Sequence, residues 1–465
     1  MHSRALLHAA ADHAADFLEG LPRRRVGPAT ADPEALREAL GGPLPDGPCD
    51  PRAVLDALVA GADPGLMASQ SPRFFGFVFG GSLPAALAAD WVTSAWDQNP
   101  CLYVAAPAAA AAEEVARAWL ADLLGLPDDV SLALTTGCQM AHATCLAAAR
   151  HEVLDRAGWD VEARGLAAAP AVRIVAGAQR HVTLDRAVRL LGFGTDAIVV
   201  VDGDDRGRMR VDALRGALAA GDGPTIVCAQ AGEVNTGAFD RFDAVCDLAA
   251  EHGAWVHVDG AFGLWAAAAP DHRALVAGAE RADSWATDAH KWLNVPYDAG
   301  LAFVADAPAH RAAMSATAAY LPPGARDGMD WTPEASRRAR GFAILAALRS
   351  LGRSGVAELV ERCCRCATRF AEILAAEPGV EVLNDVVLNQ VLVRFDDDDG
   401  ATDAVIAAVQ ADGTCWLGGT TWRGRRAMRI SVSNWATTLE DVERSAAAIL
   451  AAHERAAVPT GPPPS

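Results

Sequence analysis

The sequence predicts an α/β protein whose large domain is built on a mixed, mostly parallel sheet, with a helical arm before it and a small α+β domain after it. Between residues 131 and 304, short apolar runs typical of buried strands alternate with helical patterns. Several of these runs lead directly into polar or glycine-containing segments, where open α/β sheets place their chemistry. After about residue 316 the pattern changes to two long helices, a group of strands and a last helix.

The composition limits the classes of partner. The chain of 465 residues is long enough for two or three domains, and its net charge of −19 argues against nucleic acid or an anionic membrane as a partner. No run approaches the roughly 18 apolar residues of a membrane span, and acids and histidines interrupt the N-terminal 20 residues, which excludes a typical signal peptide. Ten cysteines without paired spacing fit a reducing cytoplasm.

Residues 1–70 are predicted to form the helical arm. Helical patterns cover residues 5–21, 32–40 and 51–61, separated by segments rich in proline and glycine. This part of the chain has too few core residues to fold alone.

The predicted large domain covers residues 71–315. Its strands are expected at residues 131–134, 172–176, 197–201, 225–229, 254–258, 284–287 and 300–304, and an alanine-rich helix at 105–125. The segment 71–84 contains Phe74, Phe75, Phe77 and Phe79, which form either a core cluster or the wall of a substrate site.

The predicted small domain covers residues 316–456. Helices are expected at residues 333–351, 356–376 and 439–456, and strands at 381–395, 413–417 and 427–432. The last residues, 457–465, are rich in proline and are predicted to be disordered.

Two polar residues after neighbouring predicted strands indicate cofactor chemistry. Asp259 ends one strand, and Lys291 lies beside His290 after the next, 32 residues later. A lysine flanked by tryptophans is partly desolvated and easily kept neutral, which is the state that attacks a carbonyl. Pyridoxal phosphate (PLP) requires such a lysine, and a carboxylate that keeps its ring nitrogen protonated. A structural ion pair is the alternative interpretation.

A glycine turn between a predicted strand and helix indicates an anion site. Gly137, Cys138 and Gln139 follow the strand 131–134, and helical periodicity begins at Met140. Backbone N–H groups and the helix dipole converge at such a turn, which suits a phosphate group. These three residues are therefore predicted to form the floor of the phosphate site.

Two other clusters suggest metal binding only superficially. Cys363, Cys364 and Cys366 lie in a helical pattern, where adjacent side chains point about 100° apart, and no second cluster completes a metal site. His257 and Asp259 share one strand face, but Asp259 has a better role at the cofactor. We therefore predict no metal site.

Three segments carry a resemblance to a known family. They read HVDGAFG, DAHKWLNVPYD and TTGCQMAHATCLAAAR. In order and spacing, these segments resemble the PLP-dependent group II amino-acid decarboxylases, over about residues 70–450. The resemblance implies the PLP-dependent transferase fold (fold type I), PLP as cofactor, an amino-acid substrate, and a homodimer with shared active sites. It also implies that the N-terminal helices pack across the partner subunit.

The resemblance implies a role for each cofactor residue. Lys291 forms the covalent link to PLP, Asp259 binds the ring nitrogen, and His181 stacks on the ring. Ala261 packs on the opposite face of the ring, and Gln230 faces the phenolic oxygen. His290 completes the predicted cofactor site beside Lys291.

The resemblance leaves the substrate residues open. Phe75 and its neighbours are expected at the substrate entrance. Glu233 either lies near the substrate and selects a polar or amine-bearing side chain, or is simply solvated. Arg429 is either structural or close to the substrate carboxylate.

One difference from the family concerns the proton donor. Relatives carry a loop tyrosine three residues before a tryptophan, and that position here is Gly328, before Trp331. Either Tyr320 reaches in from the same loop, or the proton comes from His181, Lys291 or water. We predict decarboxylation to an amine. The alternatives are oxidative decarboxylation to an aldehyde, and another Cα-bond lyase or aminotransferase on the same scaffold.

Two hypotheses outside PLP catalysis are less well supported. A nucleotide-binding protein would need a GxGxxG or GxxxxGK motif, which the chain lacks. A non-catalytic PLP-binding homologue would not need Asp259, His290 and Lys291 together.

Overall fold

A computed structural model describes residues 3–316 and 326–457, and a seven-stranded sheet lies at its centre. The strand order is β1-β7-β6-β5-β4-β2-β3. Strand β7 runs antiparallel to both of its neighbours, and the other pairs are parallel. This confirms the predicted mixed, mostly parallel sheet. Its strands are β1 (Ser131–Thr135), β2 (Arg173–Gly177), β3 (Ile198–Val201), β4 (Thr225–Gln230), β5 (Trp255–Asp259), β6 (Ser284–Asp288) and β7 (Gly300–Val304).

The helices surround this sheet and extend into the regions before and after it. Proline stands at the first position of four of them, where its missing N–H costs nothing. They are α1 (Ser3–Gly20), α2 (Pro33–Leu40), α3 (Pro51–Ala62), α4 (Pro84–Trp96), α5 (Pro107–Leu124), α6 (Cys138–Asp155), α7 (Val161–Arg164), α8 (Val182–Leu190), α9 (Val211–Ala219), α10 (Phe242–Glu251), α11 (Ala307–Met314), α12 (Gly341–Ala375), α13 (Asp399–Asp412) and α14 (Leu439–Ala457).

The central strands are buried on both faces. Helices α6, α8 and α11 pack together on one side of the sheet, and α5, α9, α10 and α12 contribute to the core on the other. Every residue of β5 and β6 is buried, including the polar ones. Polar residues at their carboxyl ends are thereby held at fixed positions.

A second sheet of four antiparallel strands follows, in the order β10-β11-β9-β8. The single strand predicted at 381–395 is wrong, because Asn384 hydrogen-bonds Gln390 and Leu392 across a loop. The strand predicted at 413–417 is also wrong, because Gly413 ends α13 in a left-handed conformation (φ 79°). The strands are β8 (Val380–Val382), β9 (Gln390–Phe395), β10 (Gly418–Trp422) and β11 (Arg425–Ser431).

Helix α12 corresponds to the two helices predicted at 333–351 and 356–376. It begins later than expected, at Gly341, and Gly352 interrupts it with φ 61° and ψ −179°. Its Cys363, Cys364 and Cys366 are buried in the apolar core. None of the described helices combines the length and apolar character that crossing a membrane requires.

Candidate active site

A cavity of about 230 Å³ opens beside the carboxyl ends of the central strands. It brings together residues from five predicted segments that are far apart in sequence. Each residue that the sequence analysis assigned to the cofactor lines this cavity: Gly137, Cys138, Gln139, His181, Gln230, Asp259, Ala261, His290 and Lys291. Their individual roles stay predictions.

Lys291 projects into the cavity just after β6, and it is the only lysine in the chain. Its Nζ lies 3.2 Å from Oδ2 of Asp288, a contact that the sequence analysis did not predict. Burial lowers the pKa of Lys291, but the charge of Asp288, with Cys138 and Asp259, outweighs burial and raises it. The expectation that this lysine is easily kept neutral is therefore wrong for the protein without cofactor.

Asp259 ends β5 and is held from two directions. The backbone N–H of Ala261 donates to its Oδ1 at 3.1 Å, and Nε2 of His142 lies 3.4 Å from its Oδ2. Burial alone would raise the pKa of Asp259, but His142, His181 and Lys291 together hold it below its usual range. The carboxylate is therefore ionised at neutral pH, as a partner of a pyridinium nitrogen must be.

The predicted phosphate floor lies at the N-terminus of the 18-residue helix α6. Gly137 gives this helix no side-chain cap, and a side chain at Gly300 would collide with its backbone. Gln139 accepts a hydrogen bond from Nη1 of Arg186 at 3.1 Å, which places a guanidinium near the turn. The helix terminus and this cation both favour an anion. The sequence analysis did not identify Arg186.

His181 caps helix α8 and lines the cavity. Its Nδ1 lies 2.8 Å from Oγ1 of Thr183, and burial lowers the pKa of the imidazole. The ring is therefore neutral at pH 7 and fixed at one nitrogen. Such a ring is suited to stacking and to hydrogen bonding with a substrate carboxylate.

His290 is fixed by backbone and ring contacts. The N–H of Ala299 donates to its Nδ1 at 3.1 Å, and its ring lies 4.3 Å from the ring of Tyr297. Burial lowers the pKa of His290, so this imidazole is also neutral.

Three predicted substrate residues do not line the cavity. Phe75 is fully buried in the core, where its ring packs edge-on against Phe370 at 4.9 Å, because the apolar cluster behind the segment accommodates it. Glu233 uses its carboxylate within its own turn, where it accepts hydrogen bonds from Asn235 and Thr236. Arg429 donates to the carbonyl oxygen of Phe77 at 3.4 Å.

The remaining predicted catalytic residue, Tyr320, lies outside the described residues. Gly328, at the position of the family tyrosine, is buried. A side chain there would collide with the carbonyl oxygen of Pro100 and the guanidinium of Arg337. The local packing therefore requires glycine at 328.

Two residues that sequence reasoning missed are Asp288 and His142. Asp288 lies three residues before Lys291, a spacing that could have indicated the pair, and its Oδ1 is buried without a hydrogen-bond partner among the described residues. His142 is four residues after Cys138 on α6, so both point toward Asp259. The ligand atoms of Cys138, His142 and Asp259 lie within 4.8 Å of one another, a spacing that could also hold a cation.

The cavity residues fit the cofactor that the sequence predicts. The cavity contains a single amine, an ionised carboxylate and a helix N-terminus, which match the aldehyde, ring nitrogen and phosphate of PLP. The unpaired oxygen of Asp288 shows that the site holds unused hydrogen-bonding capacity.

Comparison with known proteins agrees with this fit. The family model described as "Pyridoxal-dependent decarboxylase conserved domain" matches residues 33–396. An aromatic-L-amino-acid decarboxylase of Bacillus atrophaeus is 26% identical over 461 residues, covering 94% of this chain and 93% of the relative. L-2,4-diaminobutyrate decarboxylase of Rhizobium meliloti is 30% identical over 378 residues, covering 77% and 73%.

A solved structure shows the same fold over almost the whole chain. Oryza sativa TDC, crystallised with PLP and tryptamine, matches with a TM-score of 0.91 at 26% identity and covers 97% of both chains. The seven-stranded sheet and the small antiparallel sheet therefore follow a known architecture. Since the family model spans most of the chain, this protein belongs to the PLP-dependent amino-acid decarboxylases.

Proposed function

We propose that this enzyme removes the α-carboxylate of an L-amino acid in the cavity around Lys291, releasing CO₂ and the corresponding amine. One observation carries the proposal. The only lysine in the chain lines the same cavity as ionised Asp259 and neutral His181. The names of the similar proteins, which include aromatic-amino-acid and diaminobutyrate decarboxylases, support the reaction but differ in substrate.

Each residue of the cavity has a separate role in the proposed reaction. Bound PLP supplies an aldehyde for the amino group and an electron-withdrawing ring that makes bonds at Cα easier to break. Lys291 would hold the cofactor, and Asp288 would hold the lysine ammonium once the substrate amine has taken its place. Asp259 would keep a positive charge on the ring nitrogen.

His181 and the first turn of α6 orient the reactants. The imidazole of His181, held at Nδ1 by Thr183, would stack on the ring and leave Nε2 to bind the substrate carboxylate. Gly137, Cys138 and Gln139 would hold the phosphate with backbone N–H groups. The orientation in which these residues hold the substrate would select the bond that breaks.

The proton that completes the amine has two candidate sources within the cavity. The ammonium of Lys291 is held by Asp288, and His181 lines the same cavity. Tyr320, which lies outside the described residues, is a third candidate.

A second candidate function is oxidative decarboxylation to an aldehyde, with ammonia and CO₂. The observation that favours it is Gly328, since a tyrosine cannot occupy this packed position without displacing Pro100 or Arg337. Slow protonation at Cα would leave time for reaction with O₂.

The experiment that separates these functions offers the PLP-loaded enzyme a panel of protein and non-protein amino acids in air. CO₂, amine, aldehyde and peroxide are measured together for each substrate. We expect CO₂ and amine in equal amounts and no peroxide. Aldehyde with peroxide would replace the first function with the second, and transamination without CO₂ for every substrate would contradict both.

We propose that the active enzyme is a homodimer with shared active sites. Large apolar side chains are exposed on helices of the arm and on α4, where a soluble monomer would normally carry polar residues. Their exposed fractions are 62% for Leu7, 53% for Val54, 57% for Leu58 and 42% for Trp91. A second copy that covers α4 would bury this surface and complete the rim of the cavity.

Replacing Trp91 by aspartate is expected to separate the subunits. A buried charge without a partner at a subunit contact costs several kcal/mol, so the sedimentation mass should fall toward the 48.4 kDa of one chain. Val200→Asp is the matched control, because Val200 is 52% exposed on the edge strand β3. Equal masses for wild type, Trp91→Asp and Val200→Asp would contradict the proposed interface.

We also propose that the enzyme works in the cytoplasm. All ten cysteines are free thiols, and eight of them are buried. A reducing compartment suits this pattern, since exposed Cys49 would otherwise be oxidised.

A further inference from the structure

A row of buried polar side chains continues behind Asp259, away from the cavity. His142 Nε2 lies 3.4 Å from the carboxylate, and His142 Nδ1 lies 2.9 Å from Nε2 of His257. His257 Nδ1 lies 3.0 Å from Oγ of Ser284, which also contacts Nε1 of Trp255 at 2.9 Å. His142, His257 and Ser284 are completely buried. The row therefore links the carboxylate to the middle of the sheet without any contact with water.

The direction of the hydrogen bonds in this row is set at Asp259. An ionised carboxylate can only accept, so His142 Nε2 carries the hydrogen that faces it. Between His142 Nδ1 and His257 Nε2, one nitrogen donates and the other accepts. At the far end the indole N–H of Trp255 donates to Ser284 Oγ, whose hydroxyl has both a hydrogen and a second lone pair for His257 Nδ1.

The surroundings of His257 keep its imidazole neutral and both rings in fixed positions. Burial, reinforced by the neighbouring His142, lowers the pKa of His257 to about 3, so its ring stays neutral over the physiological range. The two rings meet edge to face, at 86° and 5.1 Å between centroids, which leaves each only one orientation for its hydrogen bond. A buried carboxylate that receives such a bond is both oriented and kept ionised.

We propose that His142, held by His257 and Ser284, is the positioning residue that fixes Asp259 against the ring nitrogen of PLP. This inference rests on the proposed role of Asp259, and it adds that the cofactor's ring charge depends on a row of residues that never touches the cofactor. Among the described residues, the other side chain within hydrogen-bonding distance of the Asp259 carboxylate is the thiol of Cys138, at 4.0 Å. A thiol is a weak donor and cannot replace the imidazole.

The test replaces His142 by leucine and by glutamine in the PLP-loaded enzyme. Leucine removes the hydrogen bond, whereas the amide of glutamine keeps a donor near Asp259. The readouts are the PLP dissociation constant and the ¹⁵N NMR shift of ring-labelled PLP, which reports directly whether the ring nitrogen is protonated. We expect His142→Leu to weaken PLP binding about 10- to 100-fold and to shift the nitrogen signal toward the neutral ring. His142→Gln should recover most of both.

His310→Leu is the matched control. His310 is also completely buried and also makes two hydrogen bonds, to Oγ of Ser131 and to the carbonyl oxygen of Trp331, but it does not line the cavity. Its loss should lower the melting temperature as much as the loss of His142, with PLP affinity and the nitrogen signal unchanged. If His142→Leu fails to fold, His257→Gln takes its place in the test. His257 is one hydrogen bond further from Asp259, and its replacement is expected to shift the nitrogen signal in the same direction.

Two outcomes separate this inference from the proposed function. A nitrogen signal that is the same in wild type, His142→Leu and His257→Gln would overturn the inference. If Asp259→Asn also left that signal unchanged, the proposed role of Asp259 itself would fail. A change with Asp259→Asn alone would remove only the role of His142.

Discussion

Replacing Lys291 by alanine is expected to abolish the covalent attachment of PLP and to lower kcat by a factor on the order of 10³ or more. No other lysine in the chain can take over this bond, because Lys291 is the only one. The protein should still fold, since Lys291 is partly exposed in the cavity and its one ion pair is with Asp288. The measurement is kcat on the best substrate, together with borohydride reduction and mass analysis of the labelled peptide.

Lys291→Arg separates the charge of this residue from its chemistry. Arginine keeps a cation beside Asp288 but offers no amine that can attack a carbonyl at neutral pH. The variant should therefore keep the stability of the wild type and still lose covalent attachment and activity. A peptide labelled at any other residue, or an arginine variant with more than a tenth of the wild-type kcat, would contradict the role of Lys291.

Replacing Asp259 by asparagine is expected to lower kcat about 10²- to 10³-fold, because a neutral amide cannot hold a positive charge on the ring nitrogen. The change is nearly isosteric, so the packing of β5 should persist. PLP affinity should also fall, since the ionised carboxylate is the only charged group whose predicted contact is the ring nitrogen. Activity, PLP affinity and the melting temperature of the cofactor-free protein are measured together.

Asp283→Asn controls for the loss of a partly buried carboxylate. Asp283 stands just before β6 and accepts a hydrogen bond from the N–H of Val256 at 2.7 Å, outside the cavity. This variant is expected to lose some stability and to keep kcat within about threefold. Equal losses of kcat in the two variants would mean that Asp259 acts through the fold and not through the cofactor.

Much of the fold was predictable because the signals are local. The seven strands of the large sheet are short buried runs, and each was located within two residues of its true ends. The small sheet was harder to predict, because Gly413 and the loop around Asn384 depend on turn conformation and side-chain hydrogen bonds that no periodicity reveals.

The site residues that belong to a sequence motif were predictable. The site residues whose position depends on tertiary contacts were not. Asp259, His181 and Lys291 follow strands or begin helices, so sequence order places them at one edge of the sheet. The positions of the Phe75 and Glu233 side chains could not be predicted, because neighbours decide which way a side chain turns, and those neighbours, Phe370 and Asn235, are known only from the structure. His142 could not be recognised from α6 alone, since its partner lies on β5.

The solitary lysine has a practical consequence for measuring cofactor loading. Thirty-nine of the forty basic side chains are arginine, so the only primary amines that an acylating reagent can find are Lys291 and the N-terminus. Cofactor bound to Lys291 shields it, and cofactor loss exposes it. Counting acyl groups on the intact protein by mass therefore gives the fraction of empty sites directly, molecule by molecule, without a colour, a substrate or an activity assay.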